Sequence, residues 1–138
     1  MLKVIENEVR QVKNLDGIWK FKLDKNSEGF AQKWFETPLK DTYDIAVPGS
    51  YNDQIENENI RDHIGDVWYE TTFRVPRDYE NERIVLRFGS ITHRGTIFLD
   101  GCQVAFHQGG YTPIEVDITD KVKANEVYRL TVCVNNEL

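Results

Sequence analysis

The sequence predicts an all-β protein in which two antiparallel sheets pack face to face as a sandwich. Apolar and polar residues alternate with a period of two in several stretches, which is the pattern of strands with one buried face. Turn residues separate seven or eight such stretches, a spacing typical of sandwiches. Helical periodicity is scarce, so the crossover helices that a parallel sheet needs are not predicted.

Each predicted strand is defined by the apolar residues that share its buried face. In chain order these sets are Trp19, Phe21 and Leu23; Val67, Tyr69, Phe73 and Val75; Ile84, Leu86 and Phe88; Ile114, Val116 and Ile118; and Tyr128, Leu130, Val132 and Val134. In the second of these strands, Glu70, Thr72 and Arg74 are expected on the solvent face. Pro76 ends that strand because proline cannot donate a hydrogen bond to a ladder.

The segments between the strands carry turn signals. Asp100 and Gly101 lie between two apolar runs and predict a two-residue hairpin, because both residue types tolerate positive φ. Short helical turns are expected in residues 27–36, with Ser27 as the cap, and in residues 118–126. Residues 49–66 are polar and show no strand pattern, so they are predicted to form a long surface loop.

Length and charge limit the classes of function. The chain has 138 residues, a length typical of one domain, and a single domain is predicted over residues 1–138. The net charge is −6 and the Lys and Arg residues are dispersed, whereas a nucleic-acid partner would need clustered positive charge. No run of apolar residues approaches the length of a membrane span, so no membrane partner is expected.

The two cysteines, Cys102 and Cys133, favour a reducing compartment. The first residues lack the pattern of a secretory leader, so a cytoplasmic location with both thiols reduced is predicted. Both cysteines are expected to pack as small apolar residues, because no metal-ligand spacing surrounds either one. Neither a cofactor nor a metal is predicted for this chain.

Glu115 and Asp117 are a candidate catalytic pair, since a glycosidase places two carboxyl groups on either side of the bond that it cleaves. Residues two apart on a strand are separated by roughly 6.6 Å at the backbone, close to the roughly 5–5.5 Å that a retaining enzyme needs. Both side chains would point the same way, however, and a sugar would lie badly between them. We interpret the pair as the solvent face of a strand.

Other polar residues give no complete catalytic or metal constellation. Gly109 and Gly110 precede a strand, so they are interpreted as a turn and not as a phosphate-binding loop, which would open a helix. Ser50 lacks the glycine pattern of a nucleophile elbow, and nothing in the sequence indicates that it forms a Ser-His-Asp triad with His63 and Asp53. The histidines show no HxH or HxxxH spacing and are interpreted as hydrogen-bonded residues; they are His63, His93 and His107.

Aromatic residues could form a carbohydrate-binding surface. Trp19 alternates with other apolar residues and is predicted to lie in the core, whereas Trp34 and Trp68 are candidates for stacking on sugar rings. Exposure of either tryptophan beside polar groups would favour a stand-alone carbohydrate-binding module. Burial of all three would oppose that function. A contiguous exposed apolar surface would instead favour a docking module.

Several motifs occur in an order that resembles one known family. They are "LDGIWKFKLD" (15–24), "AVPGSYND" (46–53), "IRDHIGDVWYE" (60–70), "RIVLRFGSITH" (83–93), "HQGGYTPIEVDIT" (107–119) and "VCVNNEL" (132–138). Together they resemble the N-terminal sugar-binding domain of bacterial β-glucuronidases, in glycoside hydrolase family 2. The resemblance covers nearly the whole chain, and the joint order is far more specific than any single motif.

The resemblance implies a jelly-roll sandwich of the galactose-binding type, within a parent enzyme that hydrolyses β-D-glucuronides with retention. Its partners would be an immunoglobulin-like domain and a TIM barrel of the same parent chain, the parent's glucuronide substrate, and further copies in a homo-oligomer. The family's catalytic glutamates lie in the barrel, one of them in an Asn-Glu pair. This chain has four such pairs outside any barrel context, so no catalytic residue is assigned; they are Asn7-Glu8, Asn57-Glu58, Asn125-Glu126 and Asn136-Glu137.

Residues 49–66 are the candidate segment for facing the barrel in such a parent. They carry enough polar side chains for a domain interface, although a solvated loop is the simpler interpretation. The polar residues in question are Asn52, Asp53, Arg61, Asp62 and His63. On its own, the chain is expected to be inactive and to stop before the family's active-site loop.

Overall fold

A computed structural model describes residues 2–6, 12–47, 65–88, 93–109 and 114–135. These residues form ten strands: β1 (Leu2–Glu6), β2 (Val12–Asn14), β3 (Gly17–Asp24), β4 (Tyr43–Val47), β5 (Asp66–Arg74), β6 (Ile84–Phe88), β7 (His93–Leu99), β8 (Cys102–Gly109), β9 (Ile114–Asp117) and β10 (Val127–Asn135). The prediction of seven or eight strands was therefore wrong in number. It missed β1, β2 and β4, which are short and carry weak alternation.

The strands form two sheets, and every strand pair is antiparallel. One sheet has the order β2-β1-β6-β9 and the other has the order β4-β3-β5-β10-β7-β8. The chain passes repeatedly between them, so that β5, β6 and β7 alternate sheets, as do β8, β9 and β10. The predicted antiparallel β-sandwich is confirmed.

The main hydrophobic core lies between the two sheets. It contains the inward-facing side chains of both, including Phe21, Phe73, Leu86, Ile97 and Leu130. All five are no more than 4% exposed. Four of them, all except Ile97, belong to strands predicted from period-two alternation. The aromatic content of the chain fills this layer, as in other sandwiches whose inner faces interdigitate.

A second cluster lies on the outer face of the six-stranded sheet. The connection between β3 and β4, residues 25–42, crosses this face and is called the cover segment here. Phe35 of the cover segment stacks on Phe98 with a centroid distance of 4.2 Å, and Phe30 contacts Trp68 at 5.0 Å. The expected solvent position of Glu70 was therefore wrong, because the cover segment buries it to 6% exposure. Thr72 and Arg74, further along β5, are exposed as expected.

The cover segment begins with a cap that the sequence did not identify. Asp24 accepts hydrogen bonds from the backbone N–H groups of Glu28 and Gly29, both at 2.8 Å. Ser27 has a positive φ of 52° and makes no cap, so its predicted role was wrong. Trp34–Glu36 forms a short 3₁₀ turn, and a second such turn, Thr119–Lys121, lies in the predicted residues 118–126.

The β7–β8 hairpin confirms the prediction made from Asp100 and Gly101. Their φ values are 48° and 86°, as a two-residue turn with two positive φ angles requires. A Cβ on Gly101 would lie 3.3 Å from the Cα of Glu36. The hairpin thus packs against the cover segment, and glycine serves both the turn and the close approach.

The cysteines are both free but differ in environment. Cys133 is buried, and this burial, followed by the charges of Asp66 and Asp24, raises the pKa of its thiol. Cys102 is exposed, so the expectation that both cysteines pack as apolar residues was wrong for this one. Within the ranges that the structure describes, no helix has the length and apolar character of a membrane span.

Candidate functional site

The candidate site is an open cleft at one end of the sandwich. Its walls are the β5–β6 connection, which includes the 3₁₀ turn Arg77–Tyr79, and the β9–β10 connection around Thr119–Lys121. The cleft has a volume of about 790 Å³, within the usual range for small-molecule sites. The buried side chains of Tyr79, Ile84 and Val122 lie at its base.

The two walls are held in place by hydrogen bonds between their backbones. The N–H of Val75 donates to the carbonyl oxygen of Glu126 at 2.9 Å, and the N–H of Asn125 donates to Val75 at 2.7 Å. The Arg74 guanidinium also donates to the carbonyl oxygen of Asn125 at 2.6 Å. These bonds join the end of β5 and the residue after it directly to the β9–β10 connection.

The side chains around the cleft are polar and balanced in charge. Three positive residues, Arg77, Arg83 and Lys123, are matched by three negative ones, which are Glu80, Glu82 and Glu126. Amide and hydroxyl groups from Asn81, Asn125 and Thr119 add both donors and acceptors. Such a lining can hydrogen-bond a hydroxyl-rich ligand, but it does not select an anion or a cation.

Asp117 lies beside this cleft and is held as a carboxylate. The hydroxyl of Thr119 donates to Asp117 Oδ1 at 2.6 Å, the N–H of Thr119 donates at 2.9 Å, and Arg83 Nε donates to Oδ2 at 3.1 Å. These three bonds, with the Thr119 hydroxyl the strongest influence, lower the pKa of Asp117 to about 2. Its carboxyl group is therefore ionised at neutral pH and cannot act as a general acid.

The position of Glu115 and Asp117 agrees with their interpretation as the solvent face of a strand. Both are exposed on β9, whereas Val116 and Ile118 between and after them are buried. Arg83 and Thr119 engage Asp117, and neither carboxylate lies in the lining of the cleft. Because both carboxylates are exposed, the pair lacks the contrast in environment that an acid and a nucleophile require.

A second polar arrangement lies under the cover segment, at the buried Glu70. Its carboxylate lies 3.2 Å from Arg129 Nε, an ion-pair contact, and accepts bonds from the Thr131 hydroxyl at 3.3 Å and the N–H of Leu39 at 3.2 Å. Arg129 also donates to the carbonyl oxygen of Phe35 at 2.8 Å. This pair ties the cover segment to the sheet at both Phe35 and Leu39.

The three tryptophans are all engaged by neighbouring residues. Trp19 and Trp68 are 4% and 0% exposed, so neither can stack on a sugar. Trp34 is half-buried, the Lys22 ammonium lies 4.2 Å from its ring centroid, and its Nε1 donates to Gln32. The candidate stacking surface from Trp34 and Trp68 is therefore not formed.

Several other candidates lie outside the described residues or apart from the cleft. Ser50, Asp53, His63 and Gly110 fall in undescribed segments, as do residues 49–64 of the candidate interface loop, three of the four Asn-Glu pairs, and the side chain of His93. His107 lies in β8, and its Nε2 is buried without a hydrogen-bond partner within the described part of the chain. Asn125 and Glu126 lie at the cleft and are exposed.

No group of three potential metal-ligating residues occurs among the residues with described positions.

The sequence interpretation missed the cleft and the Glu70–Arg129 pair. The cleft joins two connections that are some distance apart in the chain, and no local motif marks it. The signal for a second buried face was present as consecutive aromatics, Trp68 and Tyr69, which break strict alternation.

Comparison with known proteins places these features in a family. A family model described as "Glycosyl hydrolases family 2, sugar binding domain" matches residues 12–137. A protein of Paenibacillus borealis called beta-glucuronidase is 46% identical over 129 residues, which cover 94% of this chain and 22% of that protein. One of Streptococcus agalactiae with the same name is 38% identical over 138 residues, which cover 100% of this chain and 22% of that protein.

The fold agrees equally well with a solved structure. A beta-glucuronidase from an uncultured Clostridium species superposes with a TM-score of 0.90 and 50% sequence identity, over 97% of this chain and 24% of that one. The chain thus spans less than a quarter of the length of each of these three proteins. Because the family model covers nearly all of its residues, the chain belongs to the family of glycosyl hydrolase family 2 sugar binding domains.

Proposed function

We propose that this chain is the N-terminal sugar-binding and scaffold domain of a larger glycoside hydrolase of the β-glucuronidase type. The observation that carries the proposal is the 46% identity over 94% of this chain to a protein called beta-glucuronidase, of which the match covers 22%. The parent reaction is retaining hydrolysis of O-glycosyl bonds in β-D-glucuronides. That reaction uses one carboxyl group as acid and base and another as nucleophile.

The carboxylates at and beside the cleft favour a scaffold role for this domain. Asp117 is ionised at neutral pH through its Thr119 and Arg83 partners, and Glu80 and Glu126 at the cleft are open to solvent. A general acid of a glycosidase instead works in an apolar pocket. The reactive groups would therefore come from another part of the parent, proposed to be a TIM barrel that follows an immunoglobulin-like domain, in a homo-oligomeric enzyme.

A turnover assay tests this division of labour. The purified 138-residue chain is incubated with an aryl β-D-glucuronide, beside a heat-treated sample and the longer protein of the Paenibacillus borealis relative. We expect aryl release from the longer protein only. Release by the native chain above the heat-treated control would overturn the proposal. Aryl galactosides and mannosides in the same assay, applied to the parent of this chain, would establish its glycone preference.

A second candidate function is carbohydrate binding by the isolated domain, and the polar cleft is the observation that favours it. Its donors and acceptors suit hydroxyl groups, but it offers no exposed aromatic platform. Calorimetric titration with glucuronic acid and a glucuronide disaccharide distinguishes the two functions. A binding module would show saturable heat that is lost in Arg77→Ala and retained in Lys20→Ala, an exposed lysine on β3. A scaffold would show no saturable heat.

Two finer features are also proposed. The jelly-roll connectivity is supported by the repeated passage of the chain between sheets from β5 to β10. A cytoplasmic location is supported by two free cysteines, one of which is exposed, since exposed thiols persist in reducing compartments. A fluorescent fusion in the native host, compared with compartment markers, tests the location.

A further inference from the structure

The chain contains two Asp-Gly sequences, Asp16-Gly17 and Asp100-Gly101. An aspartate before glycine can rearrange spontaneously, because glycine has no side chain to hinder attack by its backbone nitrogen. This nitrogen forms a bond to the aspartate Cγ, and one carboxyl oxygen leaves as water with the N–H proton and a proton from solvent. Water then cleaves the bond between the nitrogen and the main-chain carbonyl carbon, so that the chain continues through the side chain as isoaspartate.

The first of these steps depends on the folded structure, and the hairpin opposes it at Asp100. Oδ1 of Asp100 accepts a hydrogen bond from the N–H of Arg129 at 2.7 Å, and the Asp100 N–H donates to the carbonyl oxygen of Arg129 at 2.8 Å. The backbone of Gly101 lies against the cover segment, so that a Cβ on it would lie 3.3 Å from the Cα of Glu36. Ring closure therefore requires the carboxylate to leave Arg129 and the turn to move against its neighbour.

The surroundings of Gly17 are open by comparison. Asp16 and Gly17 lie where the chain passes from β2 in one sheet to β3 in the other, and Gly17 is exposed. Its φ is 148°, and among the described residues no heavy atom beyond its chain neighbours lies within 4 Å of the position of an added Cβ. The N–H of Asp16 donates to Asn14 Oδ1 at 2.8 Å, on the side of Asp16 away from Gly17. The backbone around the attacking nitrogen thus has room to rotate.

We propose that Asp16-Gly17 is the site at which the folded chain forms isoaspartate, and that the hairpin protects Asp100-Gly101. The contrast lies mainly in the glycine, which supplies the attacking nitrogen. Gly17 is open to rotation, whereas Gly101 is enclosed by the cover segment.

The rearrangement has a structural consequence at Trp19. The indole Nε1 of Trp19 donates to the carbonyl oxygen of Leu15 at 2.8 Å in a buried hydrogen bond, and both side chains belong to the main core. Isoaspartate at position 16 adds one carbon to the main chain between these two residues. The longer chain should weaken this hydrogen bond, and loss of a buried hydrogen bond lowers stability.

Peptide mapping of the aged 138-residue chain tests the proposal. Folded samples and samples in urea are incubated for weeks at neutral pH. Isoaspartate in the two peptides is then quantified by mass spectrometry and by methyl transfer from protein isoaspartyl methyltransferase. In urea the two sites should react at similar rates, because they share the same dipeptide. In the folded chain Asp16 should react about tenfold or more faster than Asp100, because the hydrogen bond from Arg129 to a charged carboxylate must first break.

Two variants of matched chemistry serve as controls. Asp16→Glu should remove most of the methyl acceptance, because glutamate has to close a larger ring, whereas Asp100→Glu should leave it close to that of the wild type. After ageing, the wild type should unfold at a lower urea concentration, while Asp16→Glu should keep the midpoint of its fresh sample.

The wild-type peptide map decides between the two sites even if a variant fails to fold by circular dichroism. Modification of Asp100 as fast as that of Asp16 in the folded chain would overturn the proposal, as would a folded chain that forms isoaspartate at neither site. Isoaspartate at position 16 without any loss of stability would overturn the consequence assigned to Trp19.

Discussion

The Glu70–Arg129 pair allows a sharp test of how the cover segment is held. Replacing Glu70 with Ala removes the acceptor for Thr131 and Leu39 and the counter-charge of Arg129. The two side chains are only 7% and 18% exposed, so water replaces few of the lost contacts. Removing one partner of a buried ion pair typically costs ~3–5 kcal/mol.

We expect Glu70→Ala to lower the free energy of unfolding by about 3 kcal/mol, at the lower end of that range. The lower end is appropriate because Arg129 keeps its bond to the carbonyl oxygen of Phe35 and part of its side chain reaches solvent. Urea unfolding, followed by circular dichroism and tryptophan fluorescence, measures the change. The exposed cross-strand pair Lys20–Asp44, with side chains 59% and 68% exposed, supplies the control, and Asp44→Ala should cost less than ~1 kcal/mol.

A double-mutant cycle separates the pair from its surroundings. Arg129→Met alone leaves the Glu70 carboxylate buried without its cation, so it should also cost about 3 kcal/mol. The double variant Glu70→Ala, Arg129→Met should be less damaging than the sum of the two single changes by about 2 kcal/mol. Additivity within about 0.5 kcal/mol, or a Glu70→Ala cost as small as that of the exposed control, would refute the coupling of the cover segment to the sheet through this pair.

Three further predictions follow from single positions. Gly29→Ala should destabilise the chain by about 1–3 kcal/mol in urea unfolding, because its Cβ would lie 2.6 Å from Trp68 Nε1; a neutral result would show that the cover segment can move away. A thiol reagent should label Cys102 in the native chain and Cys133 only after unfolding, because burial raises the pKa of the Cys133 thiol; rapid native labelling of both would contradict this. Since the folded-state pKa of Asp117 is lowered to about 2 from 3.8, its stabilisation is complete above about pH 4 and is lost as pH falls toward 2. The stability difference between wild type and Asp117→Asn should shrink over that window, and a difference that stays constant would contradict the assigned cause.

Local patterns were sufficient for the inner layer of the sandwich and for the hairpin. Alternation placed Phe21, Phe73 and Leu86 in the core because each strand has a period of two and must bury one face. Asp100 and Gly101 specified their turn because few residue types adopt two consecutive positive φ angles. The family was likewise recognisable from the order of its motifs, without any catalytic residue in view.

Alternation did not reveal that part of the outer face of the six-stranded sheet is also buried. Glu70 looks like a solvent residue in its strand, and only the cover segment, which arrives from the β3–β4 connection, encloses it. The turn cap was misassigned to Ser27 for a related reason. Asp24 reaches the N–H groups of Glu28 and Gly29 from the end of the preceding strand, a geometry set by where β3 stops.

Periodicity and turn chemistry act over a few residues, so the order of amino acids alone established the sandwich class, its inward faces and its hairpin. The cleft and the buried Glu70–Arg129 pair depend on which distant segments lie in contact. Those contacts follow from the packing of whole sheets and connections, because the burial of a side chain depends on the segments around it and not on its own strand alone.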